Sequence, residues 1–419
     1  MSENMLKYRW LSKFIPNSNE NKLVVITGAR QTGKTTLVKQ EYADIKYINL
    51  DAPENREALR NISTASWGKE VGKALLDEAQ KEPSIFEKVK YAYDNGTLSF
   101  SVLLGSAQIL LLEKIKESLA GRVYIYEIWP LMVSELLTLG NLVPKQTPLF
   151  EEILNHDIFE KKLKEIPSIL LAEEEAKKQS AEKYILKWGG MPKLVHLNDE
   201  EKQKWLSSYA YTYLERDLID LARLTDLDPF RKFQRLTALR SGKLLNYSEL
   251  AKDTGISVDS ARRYLEYLRI SYQTILLQPF YKNLTSSVIK SPKVYMVDIG
   301  ILRQLTGFSG EITGEIYETY VVSEIYKWIK TYQKNTEIYF YRTRSGLEID
   351  LILKTANGYL GLEIKSSKKL SSSDYNPLKK IASKLKTEWL GGICVYQGNK
   401  IEKIAEPNIW AIPSYRLFT

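Results

Sequence analysis

The sequence predicts an α/β protein built from four successive parts. Short apolar runs alternate with helical patterns over the first 135 residues, which is typical of a parallel sheet with crossover helices. The pattern then becomes helical and highly charged, and strand-like runs return before residue 300 and again after residue 313. We therefore expect a parallel-sheet domain over 1–140, a helical connector or lid over 141–228, helices followed by a two-stranded hairpin over 229–312, and a second α/β domain over 313–419.

Length and composition agree with several folded domains and exclude some classes of protein. The chain has 419 residues, of which 44% are hydrophobic, and a domain takes roughly 100 to 200 residues. The single cysteine, Cys394, and two histidines are too few for a Cys/His zinc site. No stretch of about 18 apolar residues occurs, and the first residues lack the apolar core of a signal peptide. These features predict a cytoplasmic protein without structural zinc and without a membrane partner.

A phosphate-loop motif follows the first apolar strand. Residues 28–35 read GARQTGKT and fit the pattern G-x-x-x-x-G-K-[ST], with a strand before and a helix after. The glycines let backbone N–H groups curl around phosphates, Lys34 supplies charge for the β and γ oxygens, and the Thr35 hydroxyl can ligate magnesium. A Gly-rich structural turn is the alternative, which the flanking elements disfavour. The motif predicts ATP and Mg²⁺ as cofactors, bound by Gly28, Ala29, Arg30, Gln31, Thr32, Gly33, Lys34, Thr35 and Thr36.

Hydrolysis needs acids beside the phosphate loop, and the run ALLDEAQ supplies a pair. Asp77 ends an apolar run, where it would hold magnesium together with Thr35, and Glu78 follows as a base for the attacking water. An acidic pair that merely opens a helix after a strand is the alternative. The next apolar strand is followed by Ser106 and Gln108, which could sense the γ-phosphate or could form an ordinary strand-end turn.

One arginine is a candidate for catalysis between subunits. Arg122 in SLAGR lies directly before the strand VYIYEI, where a finger could reach across a subunit boundary and stabilise charge in the transition state. Pairing of Arg122 with a nearby acid explains the residue equally well. The finger hypothesis also predicts a homo-oligomer.

In order and spacing these motifs resemble one family of ATPases over nearly the whole chain. The runs ITGARQTGKTTL, LLDEAQKEPSIFEKVK and SLAGRVYIYEIW are similar to those of AAA-type ATPases of bacteria and archaea that carry a C-terminal DUF4143 domain. The similarity continues through GGMPKLV, YLERDLIDLARL and KSPKVYMVDIGIL to GLEIDLIL and GLEIKSS. The resemblance implies a P-loop AAA-type sheet domain that binds and hydrolyses ATP.

A helix–turn–helix pattern lies in the third part of the chain. In NYSELAKDTGISVDSARRYLEYL, Gly255 ends one helix and Ser257 caps the next. The second helix is expected to bury an apolar stripe that consists of Val258, Ala261, Leu265 and Leu268. A two-stranded hairpin follows, so this segment is predicted to be a winged helix.

The same stretch carries most of the positive charge. Residues 229–295 hold 12 Lys and Arg against 4 Asp and Glu, so they account for +8 of the net +9. Such an excess on a winged helix is typical of a DNA-binding surface. We therefore predict DNA as a partner, contacted by Arg262, Arg263, Lys282, Lys290 and Lys293. The alternative is a winged helix that only packs against the ATPase domain or a neighbouring subunit.

The last domain contains acids at alternating strand positions. In GLEIDLIL and GLEIKSS, residues two apart share a face, so Asp350 lies with Glu348 and Glu363 with Lys365. The order D, then E-x-K, resembles the PD-(D/E)xK core of restriction-type nucleases, with Glu318 on the preceding helix as a further member. Asp350, Glu363 and Glu318 would then bind magnesium, while Lys365 would orient the nucleophile or stabilise charge. A degenerate nuclease fold used for assembly is the alternative.

Together these motifs predict a function that combines nucleotide and DNA chemistry. The chain is expected to be an ATP-hydrolysing AAA-type ATPase that binds DNA, possible targets being branched or single-stranded forms, and couples ATP to DNA remodelling or cleavage. The alternative is a nucleotide-driven switch or remodeller that has a structural nuclease-like domain and a protein partner.

Overall fold

The structure is a computed structural model that describes residues 6–105, 115, 117–140, 142–144, 146–155, 159–222, 227–280 and 291–419. For residue 155 and for 211–222 it describes the backbone alone. Among these residues, no helix is both long enough and apolar enough to cross a membrane.

A parallel sheet forms the N-terminal domain. Its strands are β1 (Lys22–Thr27), β2 (Lys46–Asn49), β3 (Ala74–Asp77), β4 (Phe100–Gly105) and β5 (Val123–Glu127). Its helices include α1 (Lys34–Glu41), α2 (Pro53–Asn61), α3 (Trp67–Glu70) and α4 (Ser84–Asp94). The strand order is β2-β3-β4-β1-β5, with every pair parallel. The expected parallel α/β sheet is thus confirmed, and the carboxyl ends of β1 and β3 bring the phosphate loop beside Asp77.

Helices dominate the described part of the connector. After α5 (Val133–Leu136) the chain forms α6 (Leu149–Asn155), α7 (Phe159–Glu165), α8 (Ala172–Trp188) and α9 (Asp199–Ala222). A single 3₁₀ turn, Pro192–His196, separates α8 from α9. The two glycines before this turn are required by close packing, because a Cβ on Gly190 would stand 2.2 Å from the Leu131 carbonyl oxygen and one on Gly189 would stand 2.1 Å from Asp298.

The third part contains the expected helix–turn–helix. Its elements are α10 (Asp228–Ala238), β6 (Lys243–Leu244), α11 (Tyr247–Thr254), α12 (Val258–Ile270), β7 (Thr274–Pro279) and β8 (Lys293–Met296). Gly255 ends α11 in the left-handed region at φ 82°, and the Ser257 hydroxyl accepts a hydrogen bond from the Ser260 N–H. The apolar stripe is buried except at Val258, which is 37% exposed. Val258 is the first residue of α12, and Tyr264 fills the core of this part instead.

The third and fourth parts share one sheet. The third part ends with α13 (Ile299–Thr306). The last part consists of α14 (Gly314–Thr331), β9 (Glu337–Arg342), β10 (Glu348–Thr355), β11 (Gly358–Lys365), α15 (Ser372–Leu385), β12 (Trp389–Tyr396), β13 (Glu402–Ala405), β14 (Ile409–Pro413) and α16 (Ser414–Leu417). Its sheet order is β13-β14-β12-β11-β10-β9-β7-β8-β6. Because β7 pairs in parallel with β9, no break in the sheet separates residues 229–312 from 313–419.

The largest apolar core joins all four parts. It contains Trp129 after β5, Met191 of the connector, Tyr272 after α12 and Tyr320 of α14. Two smaller cores fill the two faces of the N-terminal sheet. The edge of that sheet where the phosphate loop lies is therefore packed against the connector and the following parts.

Candidate nucleotide site and acid cluster

The phosphate loop has the geometry that its glycines allow. A Cβ on Gly28 would stand 2.2 Å from the Ile128 carbonyl oxygen, so no other residue fits there. Gly33 precedes α1 at φ 95°, in the left-handed region that glycine adopts without strain. The buried Lys34 ammonium donates to the carbonyl oxygens of Gly28 and Ala29 at 2.9 and 2.8 Å. Its charge therefore lies within the loop, at the N-terminus of α1, where phosphate oxygens bind.

Thr35 and Asp77 meet as the magnesium hypothesis requires. The Thr35 hydroxyl donates to Asp77 Oδ2 at 2.7 Å, and the Tyr47 hydroxyl donates to the same oxygen at 2.8 Å. Burial, together with this hydrogen bond to Asp77, raises the pKa of Tyr47, which stays protonated and donates. A hydroxyl and a carboxylate side by side beside a phosphate loop are ligands that Mg²⁺ accepts. These residues fit a magnesium ion bound together with a nucleotide.

Glu78 lies directly beside this pair. Its backbone N–H donates to Asp77 Oδ1 at 3.0 Å, and its side chain accepts a hydrogen bond from Gln80 Nε2 at 2.5 Å. Its φ of 53° is rare for a residue with a side chain and turns the chain sharply after β3. This turn brings the Glu78 carboxylate to the cleft above the phosphate loop.

A cleft of about 480 Å³ opens above the phosphate loop. Its volume is in the range of small-molecule sites, and five basic side chains line it against two acidic ones, which suits a triphosphate. Sequence reasoning missed several of the lining residues, namely Lys7, Arg9, Asp51, Pro192, Lys193 and His196. The GGMP run before Lys193 was a usable signal, because its paired glycines indicate close packing.

His196 is neutral at pH 7 in this cleft. Burial and the nearby ammonium groups of Lys193 and Lys7 lower the pKa of its imidazole. Positive charge at this wall of the cleft therefore comes from the two lysines. Neither lies near the phosphate loop in the sequence.

Arg9 lines the cleft and contacts the phosphate loop directly. Its guanidinium donates to the carbonyl oxygens of Thr32 at 2.8 Å and Trp129 at 2.5 Å, and to Glu135 Oε1 at 3.1 Å. Arg9 and Glu135 are both buried. Glu135 also accepts the backbone N–H groups of Trp10 and Met132 at 2.9 and 3.0 Å. The N-terminal segment is thus tied to the loop by a buried charge pair.

The predicted γ-phosphate sensor and the predicted arginine finger are not seen at the nucleotide cleft among the described residues. Ser106 and Gln108 lie outside the described residues. Arg122 donates to Asp94 Oδ1 at 2.6 Å, which is the structural pairing that the sequence left open. It precedes β5, whereas the phosphate loop follows β1, so the two lie at opposite edges of the same parallel sheet.

The basic residues of α12 lie at the surface, in contrast to Lys293. Arg262 and Arg263 are exposed, and the Arg262 guanidinium lies 4.8 Å from the centre of the Tyr247 ring. Lys282 and Lys290 lie outside the described residues. Lys293 is only 3% exposed, because it turns inward from β8 toward carboxylates. The expectation that Lys293 contacts DNA is therefore wrong.

The C-terminal acids meet lysines in place of a metal site. Lys293 Nζ lies 3.1 Å from Glu318 Oε1, and Lys365 Nζ lies 2.7 Å from Glu363 Oε2 and 3.9 Å from Asp350 Oδ2. Within the described ranges, no three acidic, histidine or cysteine side chains converge as metal ligands. This corrects the expectation that Glu318, Asp350 and Glu363 bind magnesium. Lys365 is present where expected, but it neutralises acids.

Comparison with known proteins identifies three domain families along the chain. Residues 20–137 match the AAA domain family AAA_14, 178–311 match a domain of unknown function, DUF8612, and 313–417 match a domain of unknown function, DUF4143. "Uncharacterized protein Mb2031c" of Mycobacterium bovis is 26% identical over 353 residues, which are 82% of this chain and 70% of that protein. "Uncharacterized protein MJ1637" of Methanocaldococcus jannaschii is 27% identical over 399 residues, 87% of this chain and 80% of that protein.

The solved structure of the Walker-type ATPase PABY2304 of Pyrococcus abyssi is 14% identical and covers 70% of this chain and 99% of its own, with a TM-score of 0.41. The parallel sheet and the phosphate loop define the N-terminal domain as a P-loop ATPase fold. With the family matches, residues 20–137 are an AAA domain and residues 313–417 are a DUF4143 domain.

Proposed function

We propose that this protein hydrolyses ATP and uses the reaction to act on DNA in the cytoplasm. The observation that carries the first half is the hydrogen bond from Thr35 to Asp77, with Glu78 beside it at the same cleft. Lys34 would bind the β and γ oxygens, and Thr35 and Asp77 would hold magnesium. Magnesium, when bound, supplies charge that neutralises these phosphate oxygens. Glu78 would accept a proton from the attacking water.

Two substitutions test hydrolysis. Lys34→Ala should lose nucleotide binding, since the phosphates lose a charged contact, whereas Glu78→Gln should keep binding and slow hydrolysis about 100-fold or more because only the base is removed. Glu54 on α2 is exposed, and Glu54→Gln is a matched control for the change of charge. Phosphate release and equilibrium binding of a fluorescent ATP analogue measure the two steps. Hydrolysis by Glu78→Gln at the wild-type rate would reject Glu78 as the base.

The second half of the proposal concerns residues 227–296. The order of helix, strand, two helices and two antiparallel strands supports a winged helix. Arg262 and Arg263 lie exposed on α12, the second helix of the helix–turn–helix, where such modules contact DNA. Further exposed basic residues occur in the same part of the chain, namely Arg231, Lys232, Arg235, Lys243 and Lys252. We infer that this face binds DNA phosphates.

A salt titration distinguishes a DNA surface from a packing surface. Each lost phosphate contact lowers the slope of log affinity against log salt by about 0.9, so Arg262→Ala with Arg263→Ala should lower it by about 2. Lys368→Ala with Lys369→Ala removes the same charge from another exposed site and should change the slope less. Fluorescence anisotropy with duplex, forked and single-stranded DNA gives both values. Equal slopes for the two double variants would assign the winged helix to packing.

A contact between Tyr272, two residues after α12, and Thr27, directly before the phosphate loop, supports coupling of the two activities. Tyr272 follows α12, and its side chain is buried. Its backbone has a φ of 61°, and its hydroxyl donates to Thr27 Oγ1 at 3.2 Å. Thr27 is the last residue before the loop, and the Trp129 ring packs edge-on against Tyr272 at 4.8 Å. A bulky residue in this backbone region is held there by its surroundings. We propose that DNA at α12 changes the ATPase rate through Tyr272, and that the coupled action is remodelling.

A further inference from the structure

A buried cluster of charges joins β8 to the C-terminal domain. Lys293 projects from β8 and lies 3.1 Å from Glu318 Oε1 on α14 and 2.7 Å from Glu348 Oε1 on β10. The Tyr295 hydroxyl, also from β8, donates to the same Glu318 oxygen at 2.7 Å. Arg342 on β9 reaches the second oxygen of Glu348 at 3.2 Å. One ammonium group therefore connects three elements of the fold.

A second lysine serves the other two acids of the cluster. Lys365 Nζ lies 2.7 Å from Glu363 Oε2 and 3.9 Å from Asp350 Oδ2. The Ile364 N–H donates to that Asp350 oxygen at 2.8 Å. Glu363 is 3% exposed, and its second oxygen has no hydrogen-bond partner among the described residues. Four carboxylates are thus gathered with three cations of the chain itself.

We propose that Lys293 and Lys365 take the place of a divalent cation in this acid cluster, so that the cluster is an ionic bridge that does not bind magnesium or manganese. Mg²⁺ requires nearly octahedral oxygen ligands at about 2.0–2.1 Å. Glu318 and Glu348 are both occupied by the Lys293 ammonium, and Glu363 is occupied by Lys365. A metal ion would have to displace an ammonium that is almost wholly buried and already paired with carboxylates.

The position of Lys293 in the sequence gives the cluster a structural role. Lys293 belongs to β8, which pairs with β6 and β7 of the third part, whereas Glu318 and Glu348 belong to the C-terminal domain. The bridge therefore fixes the third part against the fourth without any ligand. The bridge depends only on charges within the chain. The proposal can therefore be tested independently of ATP hydrolysis and DNA binding.

Metal titration of the full, nucleotide-free chain tests the proposal. Manganese is added after chelator treatment. It should shift the midpoint of thermal unfolding by the same amount in wild type and in Asp350→Asn. Lys293→Met should lower the midpoint by about 5 °C or more, because the partly buried carboxylates of Glu318 and Glu348 lose an ammonium that is almost wholly buried. Manganese should then restore about half of that loss, since the carboxylates become available as ligands.

Lys403→Met is the matched control. Lys403 also bridges two glutamates, with Nζ 2.9 Å from Glu160 and 2.6 Å from Glu406, but at the surface. It should show no manganese-dependent recovery.

A second measurement does not depend on the folding of Lys293→Met. Electron paramagnetic resonance counts manganese bound to wild type and to Asp350→Asn. Equal numbers of bound ions support the proposal. A manganese ion that wild type binds and Asp350→Asn does not would overturn it, as would manganese stabilisation of wild type that Asp350→Asn abolishes.

Discussion

Replacement of Arg9 by methionine should destabilise the protein and weaken nucleotide binding together. Arg9→Met keeps most of the side-chain volume but leaves Glu135, which is 1% exposed, without its cation. Removing one partner of a buried ion pair costs about 3–5 kcal/mol. Because two backbone N–H groups still reach Glu135, we expect the lower end of that range. The carbonyls of Thr32 and Trp129 lose donors, which adds about 1 kcal/mol and brings the total to about 4 kcal/mol.

A double-mutant cycle separates the charge from the packing. If the cost arises from the orphaned carboxylate, adding Glu135→Gln to Arg9→Met should recover about 2 kcal/mol. Urea unfolding followed by tryptophan fluorescence gives the stabilities, and an ATP analogue gives the affinity, which should fall at least about fivefold as the phosphate loop loses its support. Arg344 is exposed, so Arg344→Met is the control. A loss below about 1 kcal/mol for Arg9→Met, or no recovery in the double variant, would refute this reasoning.

Three further predictions concern single side chains. Tyr272→Phe removes only the hydroxyl that reaches Thr27, so DNA should no longer change the rate of hydrolysis while DNA affinity stays within about twofold; an equal change of rate in variant and wild type would contradict the coupling. Burial raises the pKa of Glu182 from 4.5 to about 7, so the folded state holds a proton that the unfolded state releases, and stability falls as pH rises from 4.5 to 7. Glu182→Gln should remove this loss of about 3 kcal/mol, and a stability difference from wild type that does not widen between pH 5 and pH 8 would count against it. Arg122→Ala breaks the pair with Asp94 and a hydrogen bond to the Ala120 carbonyl oxygen and should leave hydrolysis within about twofold; a loss imposed on wild-type subunits in mixed assemblies would restore the finger hypothesis.

Local sequence determined the elements whose chemistry lies within a few consecutive residues. The phosphate loop depends on Gly28 and Gly33 at a set spacing, and Asp77 was recognisable because it ends an apolar strand. The helix–turn–helix was equally readable, since Gly255 and Ser257 act on the backbone beside them. In each case the local structure follows from a backbone conformation or a helix cap that depends only on residues close in the sequence.

The tertiary structure alone decided which distant charges meet. Arg9 reaches Glu135 across 126 positions, and its partners cannot be read from spacing because they depend on how the N-terminal segment packs against the phosphate loop. Lys293 counted as one more positive charge of a DNA-binding stretch, yet the pairing of β7 with β9 carries β8 against α14 and turns this lysine into the counter-ion of Glu318. Composition records the sign of a charge, whereas its partner depends on the direction in which the folded sheet points the side chain.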